Sequence, residues 1–93
     1  MKNQRECINV INEWCKNFIK ESGMDYIRPG IILGKHSGYV FYADASGIVA
    51  EHPYGWYNSD DLARENNLIG QELIERWDEI RANLIYQADM RNV

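Results

Sequence analysis

The stretch Tyr39–His52, YVFYADASGIVAEH, decides the fold. Aromatic and β-branched residues lie on both sides of Asp-Ala-Ser-Gly, which predicts two antiparallel strands joined by a tight turn. Asp44 can accept a hydrogen bond within the turn, and Gly47 suits a left-handed backbone position. If these two residues face each other, alternation predicts one core face and one reverse face. The core face comprises Tyr39, Phe41, Ala43, Ile48, Ala50 and His52. The reverse face, expected to be partly covered, comprises Val40, Tyr42, Val49 and Glu51.

Upstream of the hairpin, an amphipathic helix is predicted over residues 3–21. Its apolar residues recur every three or four positions, and Ser22-Gly23 provides a stop signal. Residues 24–29 are predicted to be a connector, because Pro29 lacks a backbone donor and restricts the residue before it. The apolar run Gly30–Gly34 is rich in β-branched residues and is predicted to be a short strand.

Downstream of the hairpin, two helical segments are predicted. Asn58 and Asp61 have the spacing of a capping box, so a helix is expected to begin near Ser59. Asn66-Asn67 is expected to break this helix before a longer final one. The apolar stripe of the final helix comprises Ile69, Leu73, Trp77, Ile80, Leu84 and Ala88.

These elements predict a single α+β domain over residues 1–93. We expect an N-terminal helix, a small antiparallel sheet of about three strands built on the 39–52 hairpin, and a C-terminal helix or broken helix pair, with the helices on one sheet face. The chain has 93 residues, of which 45% are hydrophobic and 26% charged. That composition is typical of a globular protein, and the length leaves no room for a second core.

The charge distribution limits the choice of partner. The formal net charge is −4, and the C-terminal third carries all of it, since residues 59–93 hold four arginines against eight carboxylates. Without a cationic stripe, direct nucleic-acid binding is not expected, whereas a protein partner with a basic surface is favoured. No signal-peptide core and no apolar run of ~18 residues is present, so we expect a cytoplasmic protein that does not enter a membrane.

The chemically reactive residues do not form a recognisable catalytic pattern. His36 and His52 have no carboxylate or thiol at ligand spacing on their own elements, so neither a metal site, a cofactor nor catalysis is expected. A long-range site that joins both histidines to Glu51 is the least favoured alternative. Cys7 and Cys15 lie about 12 Å apart along one helix, too far for a disulfide within it, and Cys15 is expected in the core.

The segment His52–Asn58, HPYGWYN, is the least ordinary part of the chain. Three aromatic residues occupy four positions of a connector in which Pro53 and Gly55 are expected to prevent regular structure. At least one of the rings should pack at the end of the hairpin, and tyrosine and tryptophan are also enriched in interface hot spots. We therefore predict partner binding through Tyr54, Trp56, Tyr57, Asp60, Asp61 and Glu65.

Part of the chain resembles a known family. Residues 39–53 resemble the strand-turn-strand of Cache-type sensor domains, and residues 68–73 resemble the segment that often follows. The resemblance covers about a quarter of the chain. This chain, however, ends in predicted helix where those domains return with strands, and none of its apolar runs is long enough to be one of the membrane helices that usually flank them. The resemblance implies a small-ligand sensor and assigns no ligand-binding residue.

Two functions follow from these observations. The favoured one is a small acidic protein-binding module that acts stoichiometrically, as inhibitors, immunity proteins and phage-type regulatory proteins do. The alternative is a small-ligand-binding domain with a pocket between the sheet and the helices. The residues expected to line that pocket are Tyr39, Tyr42, His52 and Trp56. A homodimer is compatible with either function.

Overall fold

In this computed structural model, residues 3–27, 39–52 and 55–91 are described, and they form an α+β fold. The sheet is antiparallel, with its strands side by side in chain order. The strands are β1 (Tyr26–Ile27), β2 (Val40–Asp44), β3 (Gly47–His52) and β4 (Gly55–Tyr57). The helices are α1 (Gln4–Ser22), α2 (Ser59–Leu62), α3 (Leu68–Glu75) and α4 (Trp77–Arg91).

The predicted hairpin and its register are confirmed. The paired positions are Asp44 with Gly47, Ala43 with Ile48, and Phe41 with Ala50. The Asp44 carboxylate accepts the Ser46 N–H at 2.8 Å, which closes the turn. All four apolar residues of these pairs are buried, so the predicted core face is correct. On the reverse face Tyr42 and Val49 are also buried, as expected for a partly covered face.

The prediction of about three strands is corrected to four within the described residues. β1 lies in the segment predicted to be a connector, where Tyr26 pairs with Asp44. β4 lies in the segment predicted to be irregular, where Trp56 pairs with Glu51. Both are edge strands of two or three residues, too short for an alternating pattern to identify. The predicted strand Gly30–Gly34 lies outside the described residues.

The helix α1 begins and ends where its local signals place it. The Asn3 side chain caps its start by accepting the Glu6 N–H at 2.8 Å. Gly23 ends it with a left-handed φ of 72°. One stripe of α1 is buried in the core together with the inner face of α4 and the core face of the sheet. That stripe comprises Ile8, Ile11, Cys15 and Ile19. None of the described helices has the combined length and apolar character needed to cross a membrane.

The capping box that starts α2 is confirmed. Asn58 accepts the Asp61 N–H at 2.9 Å, and the Asp61 carboxylate accepts the Asn58 N–H at 3.0 Å. The break is also where it was predicted, since Asn66 has a φ of 66°. Asn67 then caps α3 by accepting the Gly70 N–H at 2.9 Å.

The prediction of one long final helix is wrong. Arg76 has φ −105° and ψ 15°, and this backbone geometry separates α3 from α4. The Arg76 guanidinium lies 3.7 Å from the Glu72 carboxylate before the break and 2.9 Å from the Glu79 carboxylate after it. Neither glycine nor proline is present at this position, so the local sequence carries no signal for the break.

Candidate protein-binding surfaces

The predicted aromatic segment is divided between the two faces of the sheet. Tyr57 pairs with Ala50 on the core face, is half-buried, and makes an edge contact with Tyr39 at 5.7 Å between ring centroids. Trp56 points to the reverse face and is 70% exposed, the most exposed large apolar side chain among the described residues. Tyr54 lies outside the described residues. One ring therefore packs at the end of the hairpin, as predicted, and the tryptophan is accessible.

The three predicted acidic contacts differ in their surroundings. The Asp60 side chain is 89% exposed and lies 3.9 Å from the Arg5 guanidinium. The Asp61 side chain is only 26% exposed, because it completes the capping box and pairs with Arg64. Glu65 is exposed and forms no ion pair within the described residues. Asp60 and Glu65 are thus available to a partner, whereas Asp61 already stabilises the start of α2.

The predicted ligand pocket is not assembled as expected. Tyr39 and His52 lie together on the core face, with ring centroids 4.7 Å apart. Tyr42 and Trp56 lie on the reverse face, so these four side chains cannot line one cavity. A hydrogen bond with Tyr57 raises the pKa of the Tyr39 phenol above its ordinary value.

A groove along α1 was not predicted from the sequence, in which Trp14 and Phe18 belong to the regularly spaced apolar residues of this helix. Both are half-buried. A cavity of about 420 Å³ is lined by Trp14, Asn17, Phe18, Glu21 and Ile85. A second, of about 210 Å³, is lined by Cys7, Val10, Ile11, Ile74 and Trp77. We call these two cavities together the α1–α4 groove.

Aromatic contacts join the two halves of the α1–α4 groove. The Trp14 ring stacks on Phe18 at 4.8 Å and meets the edge of Trp77 at 5.2 Å. The sequence did contain a signal for this surface. Besides its core stripe, α1 has a second apolar stripe. The two stripes together are wider than packing against one sheet face requires. That stripe comprises Cys7, Val10, Trp14 and Phe18.

The two cysteines, both free thiols, are expected to differ sharply in reactivity. Cys15 is fully buried, and this desolvation, together with the nearby Asp44 carboxylate, raises its pKa to about 12. Cys7 is half-buried and lines the groove. Because the thiolate is the reactive form, iodoacetamide at pH 8 should modify Cys7 in the folded protein and Cys15 only after unfolding. Mass spectrometry of a labelling time course checks this, and equal rates at both positions in the folded chain would contradict it.

Neither metal-binding chemistry nor similarity to known proteins indicates what these surfaces do. Within the described ranges, no cluster of three histidine, cysteine or carboxylate side chains has the geometry to hold a metal ion. His36, one of the two histidines considered for such a site, lies outside those ranges. No family model, no curated protein and no solved structure matches this chain.

Proposed function

We propose that this protein is a small acidic protein-binding module that acts stoichiometrically, in the manner of an inhibitor, an immunity protein or a phage-type regulatory protein. The observation that carries the proposal is Trp56, whose indole is 70% exposed. A large aromatic ring kept in water gains much from desolvation by a partner, and tryptophan is the residue type most enriched among binding hot spots.

The backbone around Trp56 favours a role as an anchor. Each of the three residues of β4 is paired with a residue of β3, and Trp56 lies opposite Glu51. A ring held on a paired strand loses less conformational freedom on binding than a ring on a free loop. Tyr57 supports the same strand from the core face, where it packs against Tyr39.

Carboxylates that follow Trp56 in the chain favour a basic partner. Asp60 follows it by four residues and is almost fully exposed, and Glu65 is exposed just beyond α2. Charges at the rim of an interface accelerate association with a surface of opposite sign and contribute to specificity. Asp61 acts indirectly, since its carboxylate holds the start of α2 in place.

The test is capture of a partner from a lysate of the source organism, followed by measurement of the purified complex. We expect a 1:1 complex, and Trp56→Ala should weaken it by about 30-fold or more, equivalent to about 2 kcal/mol. Tyr86→Ala is the matched control, because Tyr86 is an exposed aromatic residue on α4, 58% accessible, outside the proposed surface. It should leave the affinity unchanged.

Charge reversal provides the second arm of the same experiment. Asp60→Lys and Glu65→Lys should slow association at low ionic strength, and the difference from the wild type should shrink as salt is added. The proposal fails if no protein binds stoichiometrically, or if the captured partner binds the Trp56→Ala variant normally. A small molecule that raises the melting temperature, in the absence of any protein partner, would favour the sensor alternative.

A further inference from the structure

A second surface, on the far side of the sheet from Trp56, has the shape of a helix-binding site. The α1–α4 groove follows α1 from Cys7 to Phe18, a rise of ~16 Å at ~1.5 Å per residue, or three helical turns. Its floor is aromatic, formed by Trp14 and Trp77 in edge contact. Val10 at 55% exposure and the exposed Ile85 flank this floor. Two apolar cavities that follow one another along α1 over this length match the way an amphipathic helix is held by its partner.

The charges around the groove are predominantly negative. Glu21 lines the larger cavity directly. Glu6 lies four residues before Val10, and Asp89 lies four residues after Ile85, so each shares a helix face with an apolar residue of the groove. None of these three carboxylates takes part in an ion pair with another described residue.

Two of the cations near the groove are paired with carboxylates, and a third, Lys20, is exposed and offsets one of the three carboxylates. The Arg81 guanidinium lies 3.0 Å from the Asp78 carboxylate, and the Lys16 ammonium lies 3.3 Å from the Glu13 carboxylate. The local surplus of charge is therefore negative, which a cationic occupant would complement.

We infer that the α1–α4 groove binds a basic amphipathic α-helix of a partner protein. The apolar face of that helix lies on Trp14 and Trp77, and its lysines or arginines lie against Glu6, Glu21 and Asp89. A second copy of this chain is a poorer occupant, because two-fold pairing of identical grooves brings these carboxylates together. An anionic membrane surface meets the same repulsion. Trp56 itself lies on the opposite face of the sheet, so the groove and Trp56 can be tested with separate variants.

The probe for this inference is a fluorescently labelled synthetic helix of about four turns, with leucines along one face and lysines on the rest. A control peptide of the same length carries glutamate in place of lysine. Fluorescence anisotropy should detect binding of the lysine peptide and at least ~10-fold weaker binding of the glutamate peptide. Because Cys7 lines the groove, bound lysine peptide should also slow its alkylation by iodoacetamide.

Surface variants locate the peptide on the protein. Val10→Asp and Ile85→Asp place charge in an apolar contact and should each weaken binding of the lysine peptide by about 10-fold or more. Both residues are exposed, so circular dichroism and the melting temperature should change little. Met90→Asp, an exposed apolar position on another face of α4, and Trp56→Ala should leave peptide binding unchanged.

Three results would overturn the inference. The first is equal binding of the two peptides. The second is loss of peptide binding in Trp56→Ala but not in Val10→Asp. The third is a wild-type dimer, measured by light scattering, that Val10→Asp converts to a monomer, since the groove would then be an interface between copies of this chain. The proposed function is tested only by the effect of Trp56→Ala on binding of the natural partner. The proposed function and the helix-binding inference can therefore fail separately.

Discussion

Replacing Gly70 with alanine should destabilise the protein by about 3 kcal/mol, the upper range for an overpacked contact. The added methyl group would overlap the Leu62 carbonyl oxygen at the end of α2 and crowd the Gln4 side chain. That same carbonyl accepts a hydrogen bond from the Gln4 side-chain amide at 2.8 Å. Since the obstacle is backbone, no rotamer change relieves it, and α3 must move away from α2.

Helix propensity alone predicts the opposite sign. Alanine is favoured over glycine inside a helix by about 1 kcal/mol. We expect the overlap to outweigh this gain, because it disturbs both the packing of two helices and a long-range hydrogen bond. Urea denaturation measures the net effect. Gly55→Ala is the control, since an added methyl group there meets nothing within 4 Å, and it should change stability by less than about 0.5 kcal/mol. An unchanged or increased stability of Gly70→Ala would refute the expected clash.

Replacing Gly47 with alanine should be at least as damaging, at about 3 to 5 kcal/mol. Gly47 has a φ of 114°, where a side chain is strained. Its new methyl group would also overlap the carboxamide oxygen of Asn12. Asn12 is buried in α1, and that oxygen accepts the Ile48 N–H at 3.0 Å, which ties α1 to β3. Displacing Asn12 therefore leaves a buried N–H without its acceptor.

A double-mutant cycle separates the two causes. Asn12→Ala alone should cost about 2 kcal/mol, because it removes the acceptor of a buried N–H. In the double variant the overlap no longer exists, so the total loss should be smaller than the sum of the two single losses. Free energies of unfolding from urea titrations give all four corners of the cycle. Additive losses would mean that backbone strain at Gly47 acts alone.

Local chemistry explains which elements could be predicted. The hairpin register was correct because Asp44 and Gly47 define the turn and alternation then assigns every side chain to a face. The start of α2 was correct because Asn58 and Asp61 form the predicted capping box, and the end of α1 was correct because Gly23 adopts the left-handed conformation. Each of these signals acts within a few residues of the chain.

The edge strands and the helix break could not be predicted from such local signals. The β1 residues Tyr26 and Ile27 become a strand because β2 provides their pairing partners. In β4 the same applies to Trp56, whose pairing with Glu51 and exposure to water were not predicted. At Arg76 the helix is interrupted without glycine or proline, between two carboxylates that the arginine contacts.

The sequence by itself determined the α+β class, the hairpin register, the stop at Gly23 and the Asn58 capping box, because turns, caps and periodic burial depend on neighbours a few positions away. Only the tertiary structure decided that Tyr57 packs inward while Trp56 faces water, that Gly70 meets Leu62, and that Val10, Trp14 and Phe18 of α1 border a groove. These features depend on how segments far apart in the chain approach one another. The core stripe of α1 is buried, whereas the second apolar stripe of α1 is only partly covered by the packing.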